Sequence, residues 1–341
     1  MTAYERVMAA LNHQDVDFPP VYAFVESNTL YDHFAPGETD LLRAAAVVHR
    51  ALRVDVTYLV RRPPRPEDVT PVNEDGTSPG YRISAQTVWS EKPYRALADL
   101  EAWRPSEPQP AASVEATLRE YEAEKAALEP DTVVIRQGGG FLPYYYTGLE
   151  LFSYALHDRP ALVEAMIESF FEHQRAWLRL LCAHRPGPAF QICEDLACKH
   201  GLMFSPDFLR RVHFPRLREL VEIIHAAGMK AILHTDGDVS EVLDDLVNAG
   251  IDGLNPLESM DLGAVKKRYG KNLVLVGNVG STVLSFGTPD EVRRAVADNI
   301  RAGWGRGGHW LDTSAGEFMP DVPLANALAY FEAAKDPASI P

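Results

Sequence analysis

The chain has 341 residues, 46% hydrophobic and 24% charged, with a formal net charge of -15 and three cysteines. Charges of both signs are mixed along it, which excludes a disordered chain, and the acidic balance excludes nucleic acid and anionic membranes as partners, since little here would release phosphate counterions. No apolar run approaches the ~20 residues that span a bilayer, no basic-then-apolar secretion signal follows Met1, and Cys182, Cys193 and Cys198 are too few for a disulfide framework, so a cytoplasmic setting is expected.

In chain order, residues 4 to 12 predict a short opening helix, and the run from Phe18 to Val25 a buried strand ending at Glu26. A helix from Leu41 to Leu52 follows, then a strand from Val54 to Val60, rich in β-formers, with Arg61 and Arg62 at its exit. Beyond a Pro-rich stretch, an Asp75-Gly76 turn separates two segments that could pair. In the second, Tyr81 to Ser90, the residues Tyr81, Ile83, Ala85 and Trp89 alternate on one side. This predicts a β-hairpin inserted after the second strand, at about 66–92.

Three prolines mark 104–112 as a connector. A helix near 114–128 leads to a strand over Thr132 to Gln137, which opens into Gly138-Gly139-Gly140 and the cluster Tyr144-Tyr145-Tyr146. A long helix from Pro160 to Cys182 precedes the strand Ala189 to Cys193, which delivers Glu194 and Asp195. Ser205-Pro206 caps the next helix, stopped by Gly228. Met229 to Leu233 is an apolar strand running into the polar turn His234-Thr235-Asp236-Gly237-Asp238. There Asp238 and Glu241 are spaced as a capping box for a helix with Val239, Leu243, Leu246 and Val247 on one face. Strands near 251–254 and 273–278 end at Asn255 and Asn278. Thr288-Pro289-Asp290-Glu291 starts a helix, and His309 to Leu311 forms the last strand.

About eight strands, each followed by a helix-like stretch, are the tally of a (β/α)8 TIM barrel, here a single domain over 1–341 carrying the hairpin insertion. An open doubly wound sheet is the competing fold. Polar residues at nearly every strand exit favour the barrel, which gathers its loops round one mouth, and the first strand lacks a Gly-x-Gly-x-x-Gly turn.

On a barrel the exits Glu26, Arg61, Gln137, Glu194, Asp195, His234, Asp236, Asn255, Glu258, Asn278 and Glu317 would share that mouth. An imidazole and carboxylates meeting there could hold a divalent ion or act as acid and base on an organic substrate; the residues alone do not choose. Each has a plainer role open to it. Asp238 suits a helix cap, and His234 could be a hydrogen-bonded histidine. On an extended backbone only one of Glu194 and Asp195 can face the mouth. Arg61 could clamp a carboxylate or stay solvated, Tyr144 and Tyr145 could line a pocket or pack under a lid, and Cys198 is more often inert than a metal ligand.

Several stretches resemble the uroporphyrinogen decarboxylase superfamily, which also contains cobalamin-dependent methyltransferases. They are Glu5-Arg6-Val7-Met8-Ala9-Ala10-Leu11, Gly148-Leu149-Glu150, Glu194-Asp195-Leu196-Ala197, Ser205-Pro206, His234-Thr235-Asp236-Gly237-Asp238, Gly253-Leu254-Asn255-Pro256-Leu257-Glu258 and Asp321-Val322-Pro323. The resemblance implies a (β/α)8 barrel. It also has departures. The stretch Ala23 to Asn28 lacks the arginines with which the decarboxylases bind porphyrinogen carboxylates, so that substrate is not expected. The zinc methyltransferases of the family use a His-x-Cys turn and a later Cys; here Asp236 stands in the turn, and Ser314-Ala315-Gly316-Glu317 offers no thiol.

The expectation is therefore a harder metal site of His234 and Asp236 with Glu194 or Glu317, holding zinc or another divalent ion. Asp195 joins His234 and Asp236 as a catalytic residue. Arg61, Tyr144, Tyr145, Asn255, Glu258 and Asn278 are the expected substrate contacts. The first functional reading is transfer of a methyl group from a small organic substrate to a corrinoid or folate on a partner, because the chain carries no Asp-x-His-x-x-Gly corrinoid motif. The second is a metal-independent decarboxylase or lyase acting on a small carboxylic acid. The third is a barrel that has lost catalysis and only binds small molecules. The resemblance also implies a homodimer.

Overall fold

The structure is a computed structural model; it describes residues 1–62, 92–305, 307–316, 318 and 321–336, and the backbone alone of 83–84 and 87–88. Seven of the eight expected strands are present and pair in parallel; the first, Phe18 to Val25, makes only isolated parallel bridges at Val21, Tyr22 and Val25. Six form one sheet in the order Arg136–Gly138, Ala189–Cys193, Lys230–His234, Gly253–Asn255, Val274–Val276 and His309–Trp310. Val133–Val134, the start of the third strand, pairs with Val56–Thr57, Tyr22 bridges Val56, and Val21 bridges Leu311 beside the last strand. The pairings therefore pass from each strand to the next and return to the first, an α/β fold on a parallel sheet.

Alternation along each strand sorts its side chains. Tyr22 and Phe24, Val56 and Tyr58, Val133 and Ile135, Val274 and Val276, with Ala189, Ile232 and Trp310, form one apolar cluster together with Val7, Ala10 and Leu11 of the opening helix Ala3–Leu11. That helix is tied to the last strand by the Gly308 N–H, which donates to the Ala10 carbonyl at 3.0 Å. Residues of opposite parity, such as Phe190, Ile192, Ala231, Leu233, Leu254 and Leu275, pack outward against the helices. Burial of each large aliphatic side chain is worth ~1.5–3 kcal/mol, so the two-sided packing supplies much of the driving force.

At the amino ends of the strands, Asp55 gathers three partners. Arg6 Nη1 donates to its Oδ1 at 2.6 Å, the Val21 N–H donates to its Oδ2 at 2.8 Å, and the buried Lys335 ammonium pairs with the same oxygen. Arg6 also reaches Asp17 at 2.7 Å. This knot joins the opening helix, the first two strands and the segment after the last helix, Leu324–Ala333.

Local signals fared unevenly. Thr288 and Glu291 form the expected capping box on Pro289–Gly303. Asp238 does not: its Oδ1 accepts from the Ser240 N–H at 2.9 Å, a local turn that competes with capping, and the chain enters Leu243–Ala249 through the 3₁₀ turn Ser240–Val242. Ser205 caps Pro206–Phe208 as expected, but the helix then passes through a π turn, Leu209–His213, before Phe214–Ala226. In the insertion, Ile83–Ser84 pairs antiparallel with Thr87–Val88, so this reversal falls inside the segment expected as one strand. The Asp75-Gly76 turn lies outside the described residues. Among the described residues no helix is long and apolar enough to cross a membrane.

Candidate metal centre

The fifth strand, Lys230–His234, turns Ile232 inward, and His234 follows two residues later on the same face at the carboxyl end. The backbone then bends through Thr235, whose N–H donates to the Asn255 carbonyl at 2.8 Å and whose Oγ1 accepts from the Leu196 N–H at 2.8 Å. These bonds bring the Asp195 and Asp236 turns together. Gly237 makes the approach possible. Its φ is +81°, and a Cβ there would lie 2.4–2.6 Å from backbone atoms of Cys198, in the small hairpin Ala197–Cys198 and Gly201–Leu202.

His234 Nε2 lies 3.8 Å from Asp195 Oδ1 and 3.8 Å from Asp236 Oδ1. One ligand atom from each of Asp195, His234 and Asp236 falls within 4.8 Å of the others. The Asp236 N–H donates to Asp195 Oδ1 at 3.1 Å, and the Gly237 N–H donates to Glu258 Oε2 at 2.9 Å. Asp236 Oδ1 is buried without a hydrogen-bond partner among the described residues.

Burial pushes the Asp236 carboxyl up to about 7, and the charges of Asp195 and Glu258 add to the rise. Burial likewise depresses the basicity of His234, with Asp195 opposing it. The imidazole is thus kept neutral among acidic groups, and a positive charge placed between them would relieve the crowding. A neutral nitrogen with two carboxylates is a donor set that suits a divalent cation.

Asp195 is held through its backbone. The Tyr144 hydroxyl donates to its carbonyl at 3.0 Å and the Tyr145 hydroxyl accepts from its N–H at 2.9 Å, with the two ring centroids 4.2 Å apart and the planes tilted by 30°. Burial raises both phenols, so they stay protonated. Tyr145 also forms one wall of a cleft of about 510 Å³, shared with Gln109, Gln137, Gln174, Trp177 and Cys193.

Other expected site residues lie elsewhere. Glu194, expected as a metal ligand, is fully buried and turned away; its carboxylate accepts from the N–H groups of Phe141 at 2.9 Å and Leu142 at 3.2 Å. His213 Nε2, delivered by the π turn, stands 3.7 Å from it. Adjacent residues on extended backbone point oppositely, so Asp195 faces the centre and Glu194 braces the Gly-rich loop. Arg61, expected as a substrate clamp, bonds Glu26 at 2.9 Å and lies over Phe24. Asn278 fastens a turn, its Nδ2 donating to the carbonyls of Leu257 at 2.6 Å and Met260 at 2.9 Å. Glu258 borders the centre, Asn255 is buried beneath it, and Glu317 lies outside the described residues.

Two features had not been expected. Cys193 sits in register with His234 on the neighbouring strand, and Gln191, two residues earlier on the same face, starts a buried polar layer. The period of two along Ala189, Gln191, Cys193 and Asp195 was the signal that marks them.

Strand ends that bring an imidazole and two carboxylates together over a closed parallel sheet define an α/β protein with an enzyme-like centre. The chain belongs to the uroporphyrinogen decarboxylase (URO-D) family, whose model matches residues 83–337, and is thus a member of an enzyme superfamily. A uroporphyrinogen decarboxylase from Prochlorococcus marinus (strain MIT 9313) is 26% identical over 273 residues, 75% of this chain and 74% of that protein. One from Pseudomonas aeruginosa (strain LESB58) is 27% identical over 183 residues, 52% of this chain and 49% of that one. Among solved structures, a methyltransferase from Methanosarcina mazei aligns over 98% of both chains with a TM-score of 0.70 and 20% identity, which shows a shared fold.

Proposed function

We propose that this chain, read as a (β/α)8 barrel, moves a methyl group from a small methoxylated or methylated organic compound to a corrinoid or folate carrier on a partner protein. The observation that carries the reading is the convergence of Asp195, His234 and Asp236 within 4.8 Å at the carboxyl ends of the strands. The solved structure that shares this fold and is named as a methyltransferase lends further support. A divalent cation bound by these residues would act as a Lewis acid toward the oxygen that loses its methyl group.

The chain's own side chains do the remaining work. Asp236 would have to give up its proton to hold a cation. Tyr144 and Tyr145 fix Asp195 so that its Oδ1 stays beside His234, and the cleft at Tyr145, walled by aromatic rings and amides with His173 among them, suits a planar substrate. Such a transfer would break the carbon–oxygen bond with the oxygen keeping the electron pair, and the carrier would supply the nucleophile that takes the methyl carbon.

A second reading, decarboxylation of a small carboxylic acid without a metal, draws on Asp236, which keeps a proton up to about pH 7 and could protonate the carbanion left by carbon dioxide. It also draws on the names of the curated relatives. Incubation of the protein with zinc, a methoxylated aromatic compound and reduced cobalamin separates the two. Methyl transfer predicts demethylated product and methylcobalamin, both lost in His234→Ala. Labelled carbon dioxide released from carboxylated substrates after chelator treatment, with no methylcobalamin, would overturn it.

A further inference from the structure

Below the centre, the interior of the ring is polar for one layer. The Tyr22 hydroxyl donates to Gln191 Oε1 at 2.9 Å, Asn255 Nδ2 donates to the same oxygen at 2.8 Å, and Gln191 Nε2 donates to Gln137 Oε1 at 3.0 Å. The direction of this relay is fixed at its buried end. Tyr22 is 1% exposed and stacked with Tyr58 and Trp310, and burial keeps its phenol protonated. It therefore has a hydrogen to give, and among the described residues Gln191 is its one hydrogen-bond partner. Turned the other way, the Gln191 amide would set an N–H against the phenol oxygen and strand the phenol hydrogen in the interior, an orphan that folded proteins avoid. Gln191 Oε1 thus faces Tyr22, its Nε2 faces Gln137, and Gln137 spends its oxygen on that bond.

What remains is Gln137 Nε2, a pair of N–H donors with no acceptor among the described residues. Gln137 is half-buried and lines the cleft of about 510 Å³. The next residue, Gly138, lets the Trp177 indole come close, since a Cβ there would lie 3.0 Å from both Cζ3 and Cη2 of that ring. A flat apolar wall and an aimed donor therefore adjoin. The cleft also takes in Cys193, the register partner of His234 on the neighbouring strand, ~4.8 Å away across the sheet, so a ligand seated there lies beside the centre. No lysine, arginine, aspartate or glutamate is among its described lining residues. His173 has both nitrogens engaged, Nδ1 with the Ser169 carbonyl at 2.8 Å and Nε2 with the Ser106 hydroxyl at 3.2 Å. Discrimination by polarity then rests on the one amide whose direction is set from within.

We propose that Gln137 is the specificity-determining residue of the cleft: its amide, turned by the Tyr22–Gln191 relay, donates to the oxygen acceptor of a planar aromatic compound lying against Trp177. The class it selects is an aromatic compound bearing a carbonyl-type oxygen, over one bearing only an amine donor at the same place. The proposal deepens the reading of the cleft given above and rests on it.

Calorimetric titration of the metal-free protein with 4-methoxyacetophenone and with 4-methoxyaniline tests it without any methyl transfer. The wild type should bind the ketone ~3–10-fold more tightly than the amine, the worth of one net hydrogen bond. Gln137→Met should abolish that preference by weakening the ketone alone, whereas Trp177→Ala should weaken both compounds alike. Gln137→Glu still accepts from Gln191 and puts an oxygen where the donors were, so it should reverse the preference. Tyr22→Phe removes the hydrogen that directs the relay and should bring the two affinities together. A wild type that favours the amine or binds neither compound overturns the proposal, as does a ketone preference that survives Gln137→Met and Gln137→Glu, or affinities untouched by Trp177→Ala. A preference unchanged in a folded Tyr22→Phe overturns the relay. The expected preferences with no demethylation in the cobalamin assay would uphold Gln137 and overturn the methyl-transfer reading alone.

Discussion

The Tyr145 hydroxyl accepts the backbone N–H of Asp195 at 2.9 Å, so one of the two carboxylates beside His234 is aimed by a phenol on a different loop. Tyr145→Phe keeps the ring against Tyr144 and leaves the N–H without its acceptor. The expected result is a loss of ~1–2 kcal/mol in thermal or denaturant stability and a several-fold weaker zinc affinity by calorimetry. Unchanged values of both would mean that Asp195 is positioned by something else.

Glu194 and Asp195 should separate cleanly by substitution. Glu194→Gln disturbs the carboxylate that serves the Phe141 and Leu142 N–H groups and should cost ~1–3 kcal/mol of stability, with zinc affinity kept within about threefold. Asp195→Asn should do the reverse, weakening zinc at least ~10-fold with little change in urea midpoint. A Glu194→Gln protein of normal stability that binds no zinc would restore Glu194 as a ligand.

Asp236 sets the pH dependence. Its carboxyl must ionise to bind a cation, so zinc affinity should fall by about tenfold per pH unit below about 7 and level off above it. The sign for stability follows from the same shift. The folded value of about 7 is raised above the ordinary 3.8, so this group's stabilising contribution is present at low pH and lost as pH rises through 7. Cation-free protein should therefore unfold more readily at pH 8 than at pH 6, modestly because the side chain is 47% exposed, and Asp236→Asn should remove that difference in melting temperature.

At the opposite end, Asp55→Ala would remove the carboxylate that the buried Arg6 and Lys335 share, leaving Arg6 its pair with Asp17. Denaturant titration should show a loss of ~3–5 kcal/mol, the scale of breaking a buried ion pair from one side. Zinc affinity at pH 8 should be untouched in the folded fraction; a change there would show that the two ends are coupled.

The strands were legible because their apolar runs are bounded by glycine, proline and polar exits, and a parallel sheet covered on both faces needs such runs. Asp195, His234 and Asp236 were legible because all sit at strand ends in a period-two frame. What could not be read was anything decided by neighbours distant in sequence. That Arg61 would pair with Glu26, 35 residues away, and that Glu194 would serve the amides of a loop 52 residues before it, is fixed by tertiary approach. The bonds of Asn278 were hidden for the same reason, since a strand-end amide reads alike whether it meets a ligand or a carbonyl. Asp238 failed locally, because its own turn outcompeted the helix cap.

The fastening at Asp55 also bears on how such a protein can change. Because both flanks of the chain are anchored to one carboxylate remote from His234, the loops on the reactive side can be exchanged without loosening the anchor. New specificities are then reachable by loop grafting on an unaltered base, and variants built that way should keep their folding midpoint while their chemistry diverges.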